Sequence, residues 1–162
     1  MRKIQKGFSL IELLIVVAII LIIAAIAIPN LLRSRMAANE ASAVGSLRTI
    51  NTAEVVYSTS YPSIGFAALA SLGGSAATCA TATGATSTGS CLIDNVLAST
   101  AIKSGYAFTT VAGSGSPAVT YTATALPSVV GQSGQRGFCS DQSGVVRYNA
   151  GGTACSNADN PL

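Results

Sequence analysis

Few residues in this chain have chemistry within reach, and the first is a carboxylate in an unusual place. Glu12 lies near the start of an apolar run, FSLIELLIVVAIILIIAAIAIP from Phe8 to Pro29. A carboxylate in hydrocarbon must be neutralised, reach the interface or meet a cation. The cations nearby are Arg2, Lys3 and Lys6, ahead of the run, or a new amino terminus if the chain is cut just before Phe8. A second reading leaves Glu12 in the headgroup layer, where the dipole of a helix N-terminus favours it.

Cys79, Cys91, Cys139 and Cys155 supply the other reactive atoms. An even count outside a membrane segment favours two disulfides; three pairings are possible, and local closure selects Cys79 with Cys91 and Cys139 with Cys155. Catalytic groupings are not expected. The chain has no histidine, which excludes Ser-His-Asp and Cys-His arrangements. Asp94 and Asp141 would act as a pair only if folding joined them, and they read first as a loop residue and a turn former. Arg136 and Arg147 read as surface charges beside strands. There is no paired CxxC spacing for zinc and no nucleotide-binding glycine motif, so no metal, cofactor or enzymatic activity is expected.

The element that must position Glu12 is a helix. Leu13 to Ile28 is sixteen apolar residues without interruption, and Phe8 to Ile28 spans roughly 31 Å as a helix, enough for a bilayer core. Its twelve Leu, Ile and Val residues gain about 0.4 kcal/mol each on insertion, roughly 5 kcal/mol together, against ~3 kcal/mol for a central carboxylate. Insertion wins, and by more because Glu12 lies near an end. The net charge of +3 belongs to Arg2, Lys3 and Lys6; the remaining charges balance, which argues against specific nucleic-acid binding. The basic leader instead suits the positive-inside rule, holding the amino terminus in the cytoplasm and placing the later residues outside.

A basic leader ending in Gly7, then Phe8, Glu12 as the fifth residue after that glycine, an unbroken aliphatic run and Pro29 together resemble the amino terminus of type IV prepilins and their pseudopilin relatives. An ordinary secretory signal has its cleavage site after the apolar stretch, not before it. The resemblance implies cleavage between Gly7 and Phe8 by a prepilin peptidase and N-methylation of Phe8. It also implies storage in the inner membrane and later transfer into a helical filament, with Glu12 paired to the terminal ammonium of a neighbouring subunit. Where many filament-forming relatives carry a helix-breaking glycine, this chain has Leu21. Pro29 still predicts a bend or local unwinding near Ala25 to Pro29.

Beyond the apolar half, residues 31–61 continue as an amphipathic helix with a stripe of Met36, Ala43, Leu47, Ile50 and Tyr57. Arg33, Arg35, Asn39, Glu40, Ser42, Arg48, Asn51 and Thr52 fall mostly on other faces, suited to water or neighbouring subunits. A helix from Phe8 to Ser60 would be near 80 Å long. A small domain cannot cover it, so its first half needs lipid or other copies of the chain. Residues 62–104 read as a region joining helix to sheet, with a Ser/Thr/Gly/Ala-rich loop closed by Cys79 and Cys91 and a short amphipathic helix from Leu92 to Lys103 through Ile93, Val96 and Leu97. Residues 105–162 predict an antiparallel sheet of about four strands (105–112, 118–125, 136–140 and 145–149), a hairpin at 141–144, and a terminal loop held by Cys139 with Cys155. The predicted class is α+β, a pilin fold preceded by a removable leader at 1–7 and a membrane or filament-core half at 8–30.

The function implied is a structural pilin subunit, first in the inner membrane as a single-pass protein and then in an extracellular pilus. The partners implied are further copies of the chain, the peptidase and methyltransferase, the inner-membrane assembly machinery and the bilayer. A type II secretion pseudopilin, acting in the periplasm, shares the same amino-terminal logic. A membrane-tethered binding module differs by keeping the bond between Gly7 and Phe8 intact.

Overall fold

In a computed structural model of the chain, residues 8–80 and 84–162 are described; the leader, including Gly7, lies outside them. The first element, α1, is Leu10–Ser60, and three short helices follow, α2 Leu69–Leu72, α3 Ala76–Cys79 and α4 Asn95–Thr100. The strands are β1 Ile102–Lys103, β2 Tyr106–Ala112, β3 Tyr121–Pro127, β4 Gly137–Asp141, β5 Arg147–Asn149 and β6 Asn160–Pro161. The chain divides into two units at Arg35 and Met36, and α1 contributes residues to both.

The described residues of the first unit leave their apolar side chains uncovered on every side, with only Ala24 half-buried. α1, Leu10–Ser60, is long enough and, near the amino terminus, apolar enough to cross a membrane. α1 stays helical through Pro29, so local unwinding between Ala25 and Pro29 is not found. The missing Pro29 N–H leaves the Ala25 carbonyl without its usual donor four residues on.

The second unit is built on the α1 stripe. Ala43, Leu47, Ile50 and Tyr57 are buried, as their helical spacing requires, and Met36 is half-buried at the end of the series. The sheet is antiparallel throughout, in the order β1-β2-β3-β4-β5-β6. Its strands β2 and β3 alternate between buried and more open positions, the period of a sheet with one face in the core. Phe108, Ala125, Phe138 and Tyr148 pair in register across four strands. The small Ala125 leaves room beside two large rings, and Phe138 is fully buried.

The strand count corrects the expectation of about four. β1 and β6 have two residues each, too short to show periodicity, and exist because a longer neighbour offers a free edge. β6 lies in the terminal segment that reads as loop, and pairs with β5 through Arg147↔Pro161 and Tyr148↔Asn160. Lys103, expected in a helix, is likewise in strand. α4 starts at its Asp94 cap, whose side chain accepts from the Val96 N–H at 3.0 Å, and stops at Ala101 in the left-handed region, φ 54°. The Ser/Thr-rich region holds α2 and α3, of four residues each, rather than a loop alone. Leu69 and Leu72 of α2 enter the core, and that burial rather than propensity sustains so short a helix.

Disulfides join Cys79 to Cys91 and Cys139 to Cys155, with Cα separations of 5.6 Å and 5.7 Å. The Asp141 to Gly144 turn closes by a Gly144 N–H to Asp141 O bond of 2.8 Å. Gly65, at φ +83°, lets residues 64–66 run beside Ala118, with N–H to O bonds of 3.0 Å and 2.8 Å on either side. A Cβ there would lie 2.1 Å from the Ala118 oxygen.

Candidate assembly site and its supporting contacts

At the start of α1 the sequence Ser-Leu-Ile-Glu forms half of a capping box. The Ser9 N–H donates to Glu12 Oε2 at 2.9 Å, while the Leu13 N–H donates to the Ser9 carbonyl at 3.3 Å. Four N–H groups at a helix start lack partners within the helix, and a glutamate at the third helical position reaches back to one of them. The spacing of Ser9 and Glu12 is the sequence signal for this contact. Phe8, next to it, is 76% exposed. Glu12 thus sits at the positive end of α1 with apolar neighbours Leu10, Leu13, Leu14 and Val17 exposed around the same end. The arrangement holds a carboxylate where an ammonium could approach it. Among the described residues no three acidic, histidine or cysteine side chains gather as a metal site.

The second unit uses charged residues as struts. Glu40, expected on a face suited to water or neighbouring subunits, is 8% exposed and reaches the segment before β4. It accepts from the Gln135 and Arg136 backbone N–H groups at 2.8 Å and 3.1 Å, and from Arg136 Nε at 2.8 Å. Burial raises its carboxyl, but those two N–H donors and the guanidinium outweigh it and hold the group below the ordinary carboxylate value. Arg136 is therefore no free surface charge: its Nη2 also lies 2.8 Å from Glu40, and its guanidinium carbon is 5.4 Å from the ring centres of both Phe138 and Tyr148. Asn51 is buried as well, giving a hydrogen bond to Ser140 Oγ at 2.8 Å and accepting one from Tyr121 at 3.1 Å. Both residues border the apolar stripe of α1, where a polar side chain is buried if the opposite element offers partners.

Glu54 was invisible in the sequence as a special residue. It has no exposed surface, and its Oε2 accepts the Ala67 N–H at 3.0 Å while Oε1 has no partner among the described residues. Burial pushes its carboxyl up to about 7, against a smaller lowering by the Ala67 N–H. Asp94 and Asp141 keep separate local roles: Asp94 caps α4 and meets Lys103 at 3.3 Å, and Asp141 accepts from Ser143 N and Oγ at 2.8 Å and 2.5 Å. Arg147 donates to the Asp159 carbonyl at 3.0 Å.

An apolar amino-terminal helix, a capped carboxylate at its start and an antiparallel sheet behind its second half give the chain an α+β architecture that resembles a pilin. The family model described as the prokaryotic N-terminal methylation motif matches residues 2–28. Over 35 residues the chain is 69% identical to the type IV wide pilus major component PilA4 of Thermus thermophilus, covering 22% of this chain and 27% of that protein. Over 50 residues it is 48% identical to the type IV major pilin protein PilA of Myxococcus xanthus, covering 31% and 23%. The matches therefore span about a quarter of each relative's length. No solved structure matches the chain. The likeness to type IV pilins thus rests on the amino-terminal methylation motif and the helix that carries it.

Proposed function

We infer that the chain is a structural subunit of a type IV pilus. The observation that carries this reading is the uncovered apolar helix, most of which lies inside the span matched by the methylation motif. In water such a surface would aggregate, so it requires lipid or further copies of itself. The subunit waits in the inner membrane as a prepilin, is cut between Gly7 and Phe8 by a prepilin peptidase, is methylated at the Phe8 amine, and is passed by inner-membrane machinery into a helical filament. Glu12 then exchanges its Ser9 N–H for the terminal ammonium of a neighbouring copy. Pro29 is the place where α1 bends to fit that packing, because it removes one hydrogen bond of the ladder. Cys79 with Cys91 and Cys139 with Cys155 hold the outer region against unfolding in an oxidising compartment. Both matched relatives are pilus components by name, which favours a pilus over a secretion pseudopilus.

The test is mass spectrometry of the protein from sheared extracellular filaments beside the same protein from the inner membrane. A chain beginning at N-methylated Phe8 and dominating the filament mass supports a major pilin. Mature protein confined to the envelope would move the reading to a pseudopilin or minor subunit. An uncut leader in every fraction would favour a tethered binding module.

A further inference from the structure

The charges of the mature chain are unequally satisfied. Every carboxylate side chain already accepts a hydrogen bond within its own chain: Glu12 from Ser9, Glu40 from Arg136, Glu54 from Ala67, Asp94 from Val96, Asp141 from Ser143 and Asp159 from Ser156. Lys103 and Arg136 have ion-pair partners. Among the described residues the side chains of Arg33, Arg35 and Arg48 have neither an ion pair nor a hydrogen bond, and all three are exposed. Arg48 lies about four turns further on, beside the buried core, whereas Arg33 and Arg35 border the apolar half of α1. They follow directly on an exposed apolar run that ends with Leu31 and Leu32, 69% and 54% exposed. At about 100° per residue the two side chains leave α1 on nearly opposite sides.

Their distance from Glu12 sets the scale. Glu12 and Arg33 bracket a stretch with no charged residue, and twenty-one helical steps between them correspond to roughly 31 Å, the thickness of a bilayer's hydrocarbon core. If Arg33 lies at one headgroup layer, Glu12 lies at the other. We propose that Arg33 and Arg35 form a collar that binds the phosphates of anionic phospholipids in the outer leaflet and sets the depth of the helix. The planar guanidinium donors match phosphate oxygens in pairs. A second copy stored at the same depth is the weaker occupant, because its Glu12, the carboxylate proposed above to pair with a neighbour, lies roughly 31 Å along the helix from Arg33, at the other headgroup layer. The collar keeps Glu12 and the amine of Phe8 at the inner surface until assembly, and it rests on the membrane-stored state proposed above.

The chain has no tryptophan, so a full-length Leu31→Trp variant carries a single indole reporter beside the collar. It is reconstituted in phosphatidylcholine vesicles with and without phosphatidylglycerol, using lipids brominated at known acyl positions to read indole depth. Phosphatidylglycerol is expected to hold the indole shallow. Adding Arg33→Gln and Arg35→Gln should move it toward the bilayer centre by about 1.5–3 Å, one or two residue rises, and abolish the effect of the anionic lipid. Arg33→Lys with Arg35→Lys keeps the charge but not the paired donors and should retain only part of that effect, whereas Arg48→Gln should retain all of it. Clear quenching at a depth insensitive to both lipid and arginines would overturn the collar and leave membrane storage standing. No quenching by any brominated lipid would overturn both. Arginine-dependent cross-linking between copies in phosphatidylcholine, with depth unchanged, would assign the arginines to a second copy and overturn the lipid site.

Discussion

Among the described residues Glu12 has one donor, the Ser9 N–H, on Oε2. Replacing it with valine removes a charge and adds apolar surface, so Glu12→Val should insert and be cleaved nearly normally. Its share in sheared filaments should fall sharply, and normal incorporation would sink the pairing with a neighbouring ammonium. Glu54 presents the opposite situation, a carboxyl without exposed surface whose folded value of about 7 lies above its ordinary 4.5. Between those values the folded chain binds the extra proton, so stability falls as pH rises through that window and levels off above it. At ~1.4 kcal/mol per pH unit the loss is roughly 3 kcal/mol. Glu54→Gln keeps an acceptor for Ala67 and should flatten the slope between pH 5 and 7, which urea melts across that range would measure.

Elements in the second unit are joined by contacts that no single element predicts. Removing Glu40 leaves the Gln135 and Arg136 N–H groups and a guanidinium without their acceptor, so Glu40→Ala should cost about 2–3 kcal/mol. A double-mutant cycle with Arg136→Ala should show coupling, and additive losses would mean the pair does not act as a strut. Gly65→Ala brings a Cβ against the Ala118 oxygen and forces φ +83° on an L side chain. That change should cost at least ~1 kcal/mol and loosen the loop from Ile64 to Ala67, seen as faster hydrogen exchange at Ala67. The disulfide of Cys139 with Cys155 closes a loop of sequence separation 16, a constraint worth about 3 kcal/mol. Its removal should expose the segment bearing β6 to proteolysis before the rest of the sheet.

For the whole molecule, the division at Arg35 and Met36 has a practical consequence. All buried core residues lie in the second unit, from Ala43 to Val146, while the described residues of the first contribute none. Residues 36–162 alone should therefore fold as a soluble monomer with both disulfides, which size-exclusion chromatography and a single cooperative melt would establish. The full chain should need detergent or lipid. An aggregated or molten 36–162 fragment would show that the core depends on residues before Met36.

The sequence by itself determined the local, one-dimensional features. An uninterrupted aliphatic run, a glycine and phenylalanine ahead of it, and the Ser9 to Glu12 spacing need no distant partner to be recognised. The heptad and three-to-four spacing of Ala43, Leu47, Ile50 and Tyr57 likewise shows which face of α1 meets the sheet, since helical geometry alone sets it. Four of the strands were legible from alternation and turn residues. What tertiary structure alone decided were the pairings across long separations: Glu40 with Gln135 at 95 residues, Asn51 with Ser140 at 89, and the edge strands β1 and β6. A polar residue at the border of an apolar stripe has no intrinsic preference between water and burial; its partner's position makes the choice. Two-residue strands carry no periodicity either, so only the free hydrogen-bonding edge beside them calls them into being.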